Sequence, residues 1–462
     1  MTQSDQAAFL EAACVPLDAD HGSGDLEQAE KILAANPGVA SESIYTAATL
    51  GDDESVRRFI EADPSLATAK GGPRSWDALT YLSFSKFLRL DKSRSGGFVR
   101  SATLLLDAGA SANTGWFENA HQPKAVFESV MYGAAGIARH PGLTRLLLER
   151  GGDPNDDETP YHTPETYDNS VLQIILDSGK LNADSLATLL LRKTDWHDYD
   201  GIKLLLDNGV DSDRLTHWGK TALQNAVLSD NGTEIIELLL EHGANPLLAT
   251  ARPHRRQAPA PPQSGVEMAA RRGRGDVLRI FRERGFSLDL NGVASLIAAC
   301  ALGDNASIAN IVEIQPALRG QLIEEGGKLL CDFAGNANAE GVACLLDLGV
   351  PVDARFEEGD GYFGIARNST ALIVASWRAA HDVVKLLLRR GASVDAKNGN
   401  GHTALQFAIK ACVDSFWSGR RSPESIEALL NAGASTEGIP EHTGYDEADK
   451  LLASANAQRR RG

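Results

Sequence analysis

Apolar residues recur with a helical period in short segments along the chain, and the segment 369–401 shows the pattern most clearly. A small apolar helix is predicted to begin at Ala371. Thr370 is its predicted N-cap, because a threonine hydroxyl can accept a backbone N–H of the first helical turn. A second run, VVKLLL, begins at Val383 and forms one broad apolar face. Gly391 follows this run, where a helix end needs a residue that tolerates positive φ. The pattern predicts two short packed helices followed by a turn.

This helix pair repeats along the chain. Thr370 and Thr403 open consecutive copies and are 33 residues apart. A single pair cannot bury both of its helices, so neighbouring pairs must stack. The second helices of further copies end at Gly109, Gly151, Gly209, Gly243, Gly285, Gly349, Gly391 and Gly433. Successive glycines are 34 to 64 residues apart. The longest gap holds two repeats, and the others mostly exceed 33 residues, with the excess largely between the pairs, in loops that we call fingers.

Three segments carry a known repeat signature in reduced form: TALQNA at 221–226, TALIVA at 370–375 and TALQFA at 403–408. Together with the period of 33 residues, they resemble the TPLHxA box of ankyrin repeats. The Pro and the His of the box are missing in all three, so its His-mediated loop bonding cannot be carried over. The resemblance implies an all-α fold, an ankyrin-repeat solenoid of stacked helix pairs with extended hairpin or finger loops.

The resemblance covers nearly the whole chain. We expect one solenoid over residues 1–462 with about 10–11 repeats. An N-terminal cap is predicted at 4–41 and a C-terminal cap helix at 445–458, and the clearest repeats lie at 217–247 and 369–438.

Several segments do not fit a simple helix pair. Residues 153–168, 250–264 and 355–368 are polar or rich in Gly and Pro, and are predicted as loops. An insertion of about ten residues near SKFLRLDKSRSGG is expected to lengthen its helices or protrude. Residues 169–210 predict three short helices, of which one is surplus to a pair.

Charge and cysteine content narrow the classes of function. The net charge of −17 argues against a nucleic-acid-binding protein. Five cysteines without CxxC spacing are typical of free thiols in a reduced core. Neither a signal segment nor an apolar run of roughly 18–20 residues is present in the sequence. We therefore expect a cytoplasmic monomer that does not enter membranes, with no cofactor and no metal site.

Aromatic residues fall at the centres of the predicted fingers, although only 6% of the chain is aromatic. Exposed aromatic rings are typical anchors in protein interfaces. The alternative is that each ring packs back onto a neighbouring finger. The predicted partner-binding aromatic residues are Trp116, Phe117, Tyr161, Trp218, Tyr362 and Phe363.

A second candidate surface is basic, since nine arginines lie between residues 252 and 284. Such a cluster suits an acidic peptide, a phosphate-bearing ligand or nucleic acid. Alternatively, Arg282 and Arg284 complement a helix dipole and the others form a solvated face. The arginines predicted to contact a partner are Arg255, Arg256, Arg271 and Arg272.

Candidate catalytic groups are His162, Asp168, His197 and His217, which stacking could bring together. The motifs HExxH, GxSxG, GxGxxG and the P-loop do not occur in the sequence.

Two functions stay open. The resemblance implies a non-enzymatic scaffold that recognises a partner protein through its concave helix and finger surface.

The alternative function is an enzyme or small-molecule-binding protein whose pocket is formed by loops 153–168, 195–200 and 355–368. A closed pocket with a His–Asp pair at hydrogen-bond distance would favour this alternative.

Overall fold

The computed structural model describes residues 3–18, 20–119, 124–251, 261–415 and 418–459. Contacts divide the chain into two compact units. Unit 1 comprises Met1–Asn225 with Glu241–Gly243, and unit 2 comprises Ala226–Leu240 with Ala244–Gly462. The expectation of one continuous solenoid over the whole chain stays a prediction.

Unit 1 contains the first helix pairs, and in each pair we call the first helix inner and the second outer. Its elements are α1 (Gln3–Ala13), α2 (Glu27–Ala35), α3 (Ile44–Leu50), α4 (Asp53–Ala62), α5 (Ala78–Ser83), α6 (Lys86–Leu90), α7 (Ser95–Asp107), β1 (Gly115–Glu118), β2 (Val126–Ser129), α8 (Val130–Tyr132), α9 (Pro141–Glu149), α10 (Glu158–His162), α11 (Ser170–Asp177), α12 (Ala183–Asp195) and α13 (Tyr199–Asp207). A π-helical turn, Gly133–Ile137, extends α8.

The repeat formed by α14 (Ala222–Leu228) and α15 (Thr233–Glu241) contains the sequence boundary between the units. Unit 2 continues with α16 (Gly265–Arg271), α17 (Gly275–Glu283), α18 (Val293–Leu302), α19 (Asn305–Ile314), α20 (Ala317–Glu324), α21 (Gly326–Gly335), α22 (Ala339–Asp347), β3 (Arg355–Phe356), β4 (Ser369–Thr370), α23 (Ala371–Trp377), α24 (His381–Arg389), α25 (Ala404–Val413), α26 (Glu424–Asn431) and α27 (Asp446–Arg459).

Helix pairs stack within each unit through like helices. In unit 1 the inner helices α3 and α5 pack together, while the outer helices α4, α7, α9 and α11 form a second row. In unit 2 the inner helices α21, α23 and α25 form one row, and α22, α24 and α26 form the other. The predicted all-α class is confirmed, with two short antiparallel ribbons, β1–β2 and β3–β4, as the strands of the described residues.

Local side-chain bonds explain where many helices begin. The Thr370 side chain accepts from the Ile373 backbone N–H, which confirms the predicted cap of α23. Asp77 caps α5 by accepting the Thr80 N–H at 2.8 Å. At the end of α24, Gly391 has the expected left-handed backbone, with φ +83°.

Expectations about two irregular segments need correction. The insertion between α5 and α7 does not lengthen α5 or protrude as a loop, because it forms α6, whose Phe87 and Leu88 are buried. Its last residues do lengthen α7, which begins at Ser95 and has 13 residues. The predicted loop 153–168 contains α10, which packs on α12 as an inner helix, while α11 packs on α9 as an outer one. The helix that appeared surplus is therefore the outer helix of a repeat that begins with α10.

Close packing of α7 on the α3–α4 turn generates a stability prediction. A Cβ atom on Gly97 would lie 2.3 Å from the Gly51 carbonyl oxygen, whereas one on Gly96 would first meet the flexible Arg100 side chain at 3.0 Å. We expect Gly97→Ala to cost about 1–3 kcal/mol through overpacking. Gly96→Ala should be neutral or stabilising because alanine favours the helix. Chemical unfolding of both variants measures this, and equal midpoints would contradict the packing.

Candidate functional site

The finger between α7 and α8 is a hairpin that separates two adjacent aromatic residues. Trp116 lies opposite Glu128 in the β1–β2 ladder. Because successive strand residues face opposite sides, Trp116 is 7% exposed and Phe117 is 62% exposed. The Trp116 ring lies 5.1 Å from Trp76 and 5.8 Å from Phe84. The expectation of an exposed tip is therefore wrong for Trp116, whose ring packs into the core, and correct for Phe117.

A groove of about 950 Å³ lies beside this hairpin. Trp116, Phe117 and Phe127 contribute aromatic surface to it, and Arg74 and Asn113 contribute polar groups. Arg74 is held in place because its guanidinium binds Glu11 at 2.7 Å. The groove is large enough for a side chain or a short segment of another molecule.

Ionisable side chains from the hairpin and from two inner helices form a group that we call the inner-face cluster: Glu128 on β2, Glu158 and His162 on α10, Glu165 just after α10, and Arg192 on α12. His162 lies at its centre, with Nε2 at 3.2 Å from Glu158 and Nδ1 at 3.1 Å from Glu165. Its ring packs 5.0 Å from Tyr132. Both ring nitrogens are thus engaged by carboxylates of neighbouring turns.

Arg192 connects this cluster to the next repeat. It binds Glu165 at 2.7 Å and Asp195 at 2.5 Å, and its guanidinium lies 4.0 Å from the centre of the Tyr161 ring. Tyr161 in turn packs 5.7 Å from Trp218. Tyr161 and Trp218 are therefore half-buried rings that pack on a neighbour rather than free finger tips.

The cluster shifts the pKa values of its members. Burial favours a neutral His162, but the hydrogen bonds and charges of Glu158 and Glu165 outweigh it and raise the pKa of His162 to about 9. Glu128 is 1% exposed. Its burial, together with the charges of Glu158 and Glu118, raises the pKa of Glu128 to about 8. At neutral pH the cluster therefore holds a charged histidine near a protonated carboxyl group.

The other candidate catalytic residues have separate positions. Asp168 accepts the Ser170 N–H at 3.0 Å at the start of α11. Hydrogen bonds from the backbone and the side chain of Ser170 lower the pKa of Asp168. His197 lies exposed in the α12–α13 turn with φ +51°. His217 packs 3.6 Å from Trp218. His162 is bonded to glutamates, so the structure does not pair it with Asp168.

A metal site is not evident in the parts of the chain that the structure describes, since no group of three or more His, Cys, Asp or Glu residues is arranged to hold an ion. Sequence reasoning missed Glu128, Glu158, Glu165 and Arg192. Their sequence neighbourhoods show ordinary charged residues. Packing of α10 on α12 brings Glu158, Glu165 and Arg192 together, and Glu128 joins them from β2.

Unit 2 has its own long finger, between β3 and β4, whose residues 357–366 we call the strap. Phe363 is 6% exposed, and its ring centre lies 4.7 Å from the Arg272 guanidinium and 4.4 Å from that of Arg378. Trp377 Nε1 donates to the Phe363 carbonyl oxygen at 2.7 Å. The strap therefore lies against the ends of α16 and α23. The expected exposed tip is wrong for Phe363 and correct for Tyr362, which is 54% exposed.

Beneath the strap is a buried ion network. Arg272 binds Asp230 at 2.5 Å and Asp332 at 2.8 Å, and Arg378 binds Asp230 at 3.0 Å. Lys328 binds Asp332 from the solvent side. Burial would raise the pKa of Asp230, but the two guanidinium groups outweigh it and lower that pKa. Arg272 is thus part of a paired interior network rather than an open basic surface.

The remaining arginine predictions have different outcomes. Arg271 is half-buried and binds Glu267 at 3.1 Å and Glu325 at 2.5 Å. Arg255 and Arg256 lie outside the described residues. Their proposed contacts with a partner stay predictions.

The family model for the ankyrin repeat matches residues 218–251 and 367–399. The protein contains ankyrin repeats. The second match covers α23 and α24, and the first covers α14 and α15. Recognition of the family from the reduced TALQNA and TALIVA boxes is therefore confirmed.

Two solved ankyrin structures are similar to this chain. The ankyrin repeat domain of human ASB11 is 20% identical, covers 61% of this chain and 98% of its own, and has a TM-score of 0.25. The ankyrin repeat domain of Bcl-3, a member of the IkappaB family, is 21% identical, covers 52% of this chain and 96% of its own, and has a TM-score of 0.23. Because both TM-scores are below 0.5, the ankyrin assignment rests on the family model. No curated protein sequence matches the chain.

Ankyrin repeats generally mediate protein–protein interactions. The described helices include none that is both long and apolar enough to cross a bilayer.

The buried position of Glu128 in the β1–β2 hairpin predicts a pH-dependent stability. Its folded pKa, about 8, lies above the unfolded value of about 4.5, so its contribution is full below pH about 4.5 and is lost as pH rises towards about 8. Glu128→Gln, which removes this titration, should therefore gain stability relative to wild type between pH 5 and 8. Glu149→Gln, at an exposed site on α9, is the control. Urea unfolding at each pH measures both, and a pH-independent difference for Glu128→Gln would contradict the burial.

The ion network predicts a large effect of a single charge removal. Asp230→Asn leaves two buried guanidinium groups without their shared carboxylate and should cost about 3–5 kcal/mol. Asp347→Asn removes an exposed pair with Arg390 at 2.7 Å and should cost less than about 1 kcal/mol. Chemical unfolding compares the two variants, and similar losses would show that the network is not buried in solution.

Proposed function

We propose that this protein is a non-enzymatic binding scaffold that recognises a partner protein through the surface of its inner helices and fingers. One observation carries the proposal: the two described fingers that contain a β-ribbon, β1–β2 and β3–β4, each bury one aromatic ring and expose its neighbour. In unit 1 the buried ring is Trp116 and the exposed ring is Phe117, and in unit 2 they are Phe363 and Tyr362.

The buried ring makes the exposed one a good anchor. Trp116 holds β1 against the aromatic core, and the β1–β2 ladder fixes the backbone on both sides of Phe117. A ring presented in this way loses little conformational freedom on binding, which is the main cost for a flexible loop. The adjacent groove provides space for the partner residues that surround such an anchor.

We also propose that the part of the partner that contacts unit 2 near the strap is acidic, because Arg272 and Arg378 lie beneath the strap. A monomeric state and a cytoplasmic location remain expectations from the sequence.

The second candidate is an enzyme or small-molecule site at the inner-face cluster. It is favoured by the shifted pKa values of Glu128 and His162, since such shifts concentrate at functional sites. Arg192 also joins loop 153–168, through Glu165, to Asp195 at the start of the 195–200 segment. The third predicted segment, 355–368, contains the strap of unit 2.

Phe117→Ala tests the first candidate. If Phe117 is a central anchor, its removal costs about 2 kcal/mol or more, or roughly 30-fold in affinity. Quantitative pull-down from lysate of the source cells should therefore recover much less of at least one partner. Tyr199→Ala, an exposed aromatic residue at the start of the outer helix α13, is the matched control and should recover the partner as wild type does.

Equal recovery of every captured protein by wild type and Phe117→Ala would overturn the finger as a binding surface. If a small molecule also raised the melting temperature of wild type but not of His162→Gln, the second candidate would replace the first.

A further inference from the structure

The strap is held by few backbone bonds. It contains three glycines in the sequence EEGDGYFGIA. Its described backbone hydrogen bonds include the Asp360–Ile365 bridge, at 2.8 Å in both directions, and one turn bond from Gly364 to Gly361. A segment with so few local bonds opens more easily than the helices around it. Its position therefore depends on its buried side chains, Phe363 and Ile365, and on the bond that Trp377 Nε1 donates to the Phe363 carbonyl oxygen.

Phe363 contacts two cationic side chains through its ring, as an aromatic residue of a bound peptide could. Two guanidinium groups, from Arg272 and Arg378, lie over its ring at 4.7 and 4.4 Å. Asp360, three residues earlier, places a carboxylate 3.9 Å from Arg272. A cation on an aromatic face and a cation near a carboxylate are both favourable. Contacts of the strap with the two arginines therefore add charge and ring interactions to the apolar burial of Phe363.

Displacement of the strap would change the net charge of the ion network beneath it. The ion pairs of the described residues join three cations and three carboxylates here, namely Arg272, Arg378, Lys328, Asp230, Asp332 and Asp360. Asp360 is the only one of these six that belongs to the strap. Without the strap, the remaining five carry a net charge of +1. The uncovered site would therefore attract a carboxylate next to an aromatic ring.

We propose that the strap is an internal occupant of a peptide site on unit 2, and that a partner segment carrying a carboxylate close to an aromatic residue displaces it. This inference rests on the proposed scaffold function and names the chemistry of one partner segment. Tyr362, on the solvent side of the strap, remains accessible to the partner whether the strap is closed or lifted.

The closed strap reduces the apparent affinity of the site. A ligand that binds only the open form binds more weakly by the fraction of molecules that are open. Removing the strap's own ring and carboxylate should therefore strengthen binding of a peptide added in trans.

A direct binding assay tests the proposal in the full-length protein. Residues 358–366 are replaced with a Gly/Ser linker of equal length, and the probe is a fluorescein-labelled peptide with the sequence of residues 357–367. Fluorescence anisotropy should show saturable binding to the strap-replaced protein, and binding to wild type that is at least about tenfold weaker. Circular dichroism and thermal unfolding establish that the variant is folded.

Three variants of the probe peptide distinguish specific recognition of the ring and the carboxylate from nonspecific binding. Phe363→Ala and Asp360→Asn in the peptide should each weaken binding, because they remove the ring and the carboxylate that meet the arginines. Tyr362→Ala in the peptide is the matched control and should bind like the parent, since this ring is largely exposed in the strap.

A second protein variant guards against misfolding of the linker. Phe363→Ala in the full-length chain loosens the strap with a single change, and it should also bind the peptide more tightly than wild type. Absence of saturable binding to a folded strap-free variant, or equal binding to variant and wild type, would overturn the proposal. Since this assay contains no cellular partner, its outcome is independent of partner recovery by Phe117→Ala.

Discussion

Two short helices that share one turn cannot cover each other's apolar faces, and the burial of every repeat depends on the repeats beside it. In unit 1, residues from Phe9 to Ile175 contribute to a single buried cluster. In unit 2, every residue of α18 except Ser295 is apolar, and the helix packs against α16, α17, α20 and α22. A helix of this kind is stable only when surrounded. Stacking is thus the constraint from which the positions of fingers and charges follow.

Once neighbours are stacked, the inner helices bring polar side chains from distant parts of the sequence into contact. Each unit uses this differently. Unit 1 gathers carboxylates around His162 and raises the pKa of that ring and of Glu128. Unit 2 pairs Asp230 with two guanidinium groups that also support the strap. Buried charges are expensive without partners, so each cluster makes the geometry of its finger specific.

Much of the fold could be predicted from the sequence, because the relevant forces act over a few residues. The cap at Thr370 and the left-handed backbone at Gly391 depend only on local chemistry. The reduced TALIVA box was sufficient to indicate the ankyrin family. Prediction failed for the segment containing α10 and for the insertion that forms α6, since their polar sequences form helices only against the neighbours that cover their few apolar residues.

The candidate sites also depend partly on local sequence and partly on contacts between distant residues. The sequence by itself determined that the fingers would carry paired aromatic residues, together with the helices that precede and follow them. Only the tertiary structure decided which ring of each pair is buried: the first in Trp116–Phe117 and the second in Tyr362–Phe363. The reason is physical, because the choice depends on which ring meets the aromatic core or the guanidinium groups across the stack. Those contacts join residues that lie between 15 and 91 positions apart in the chain.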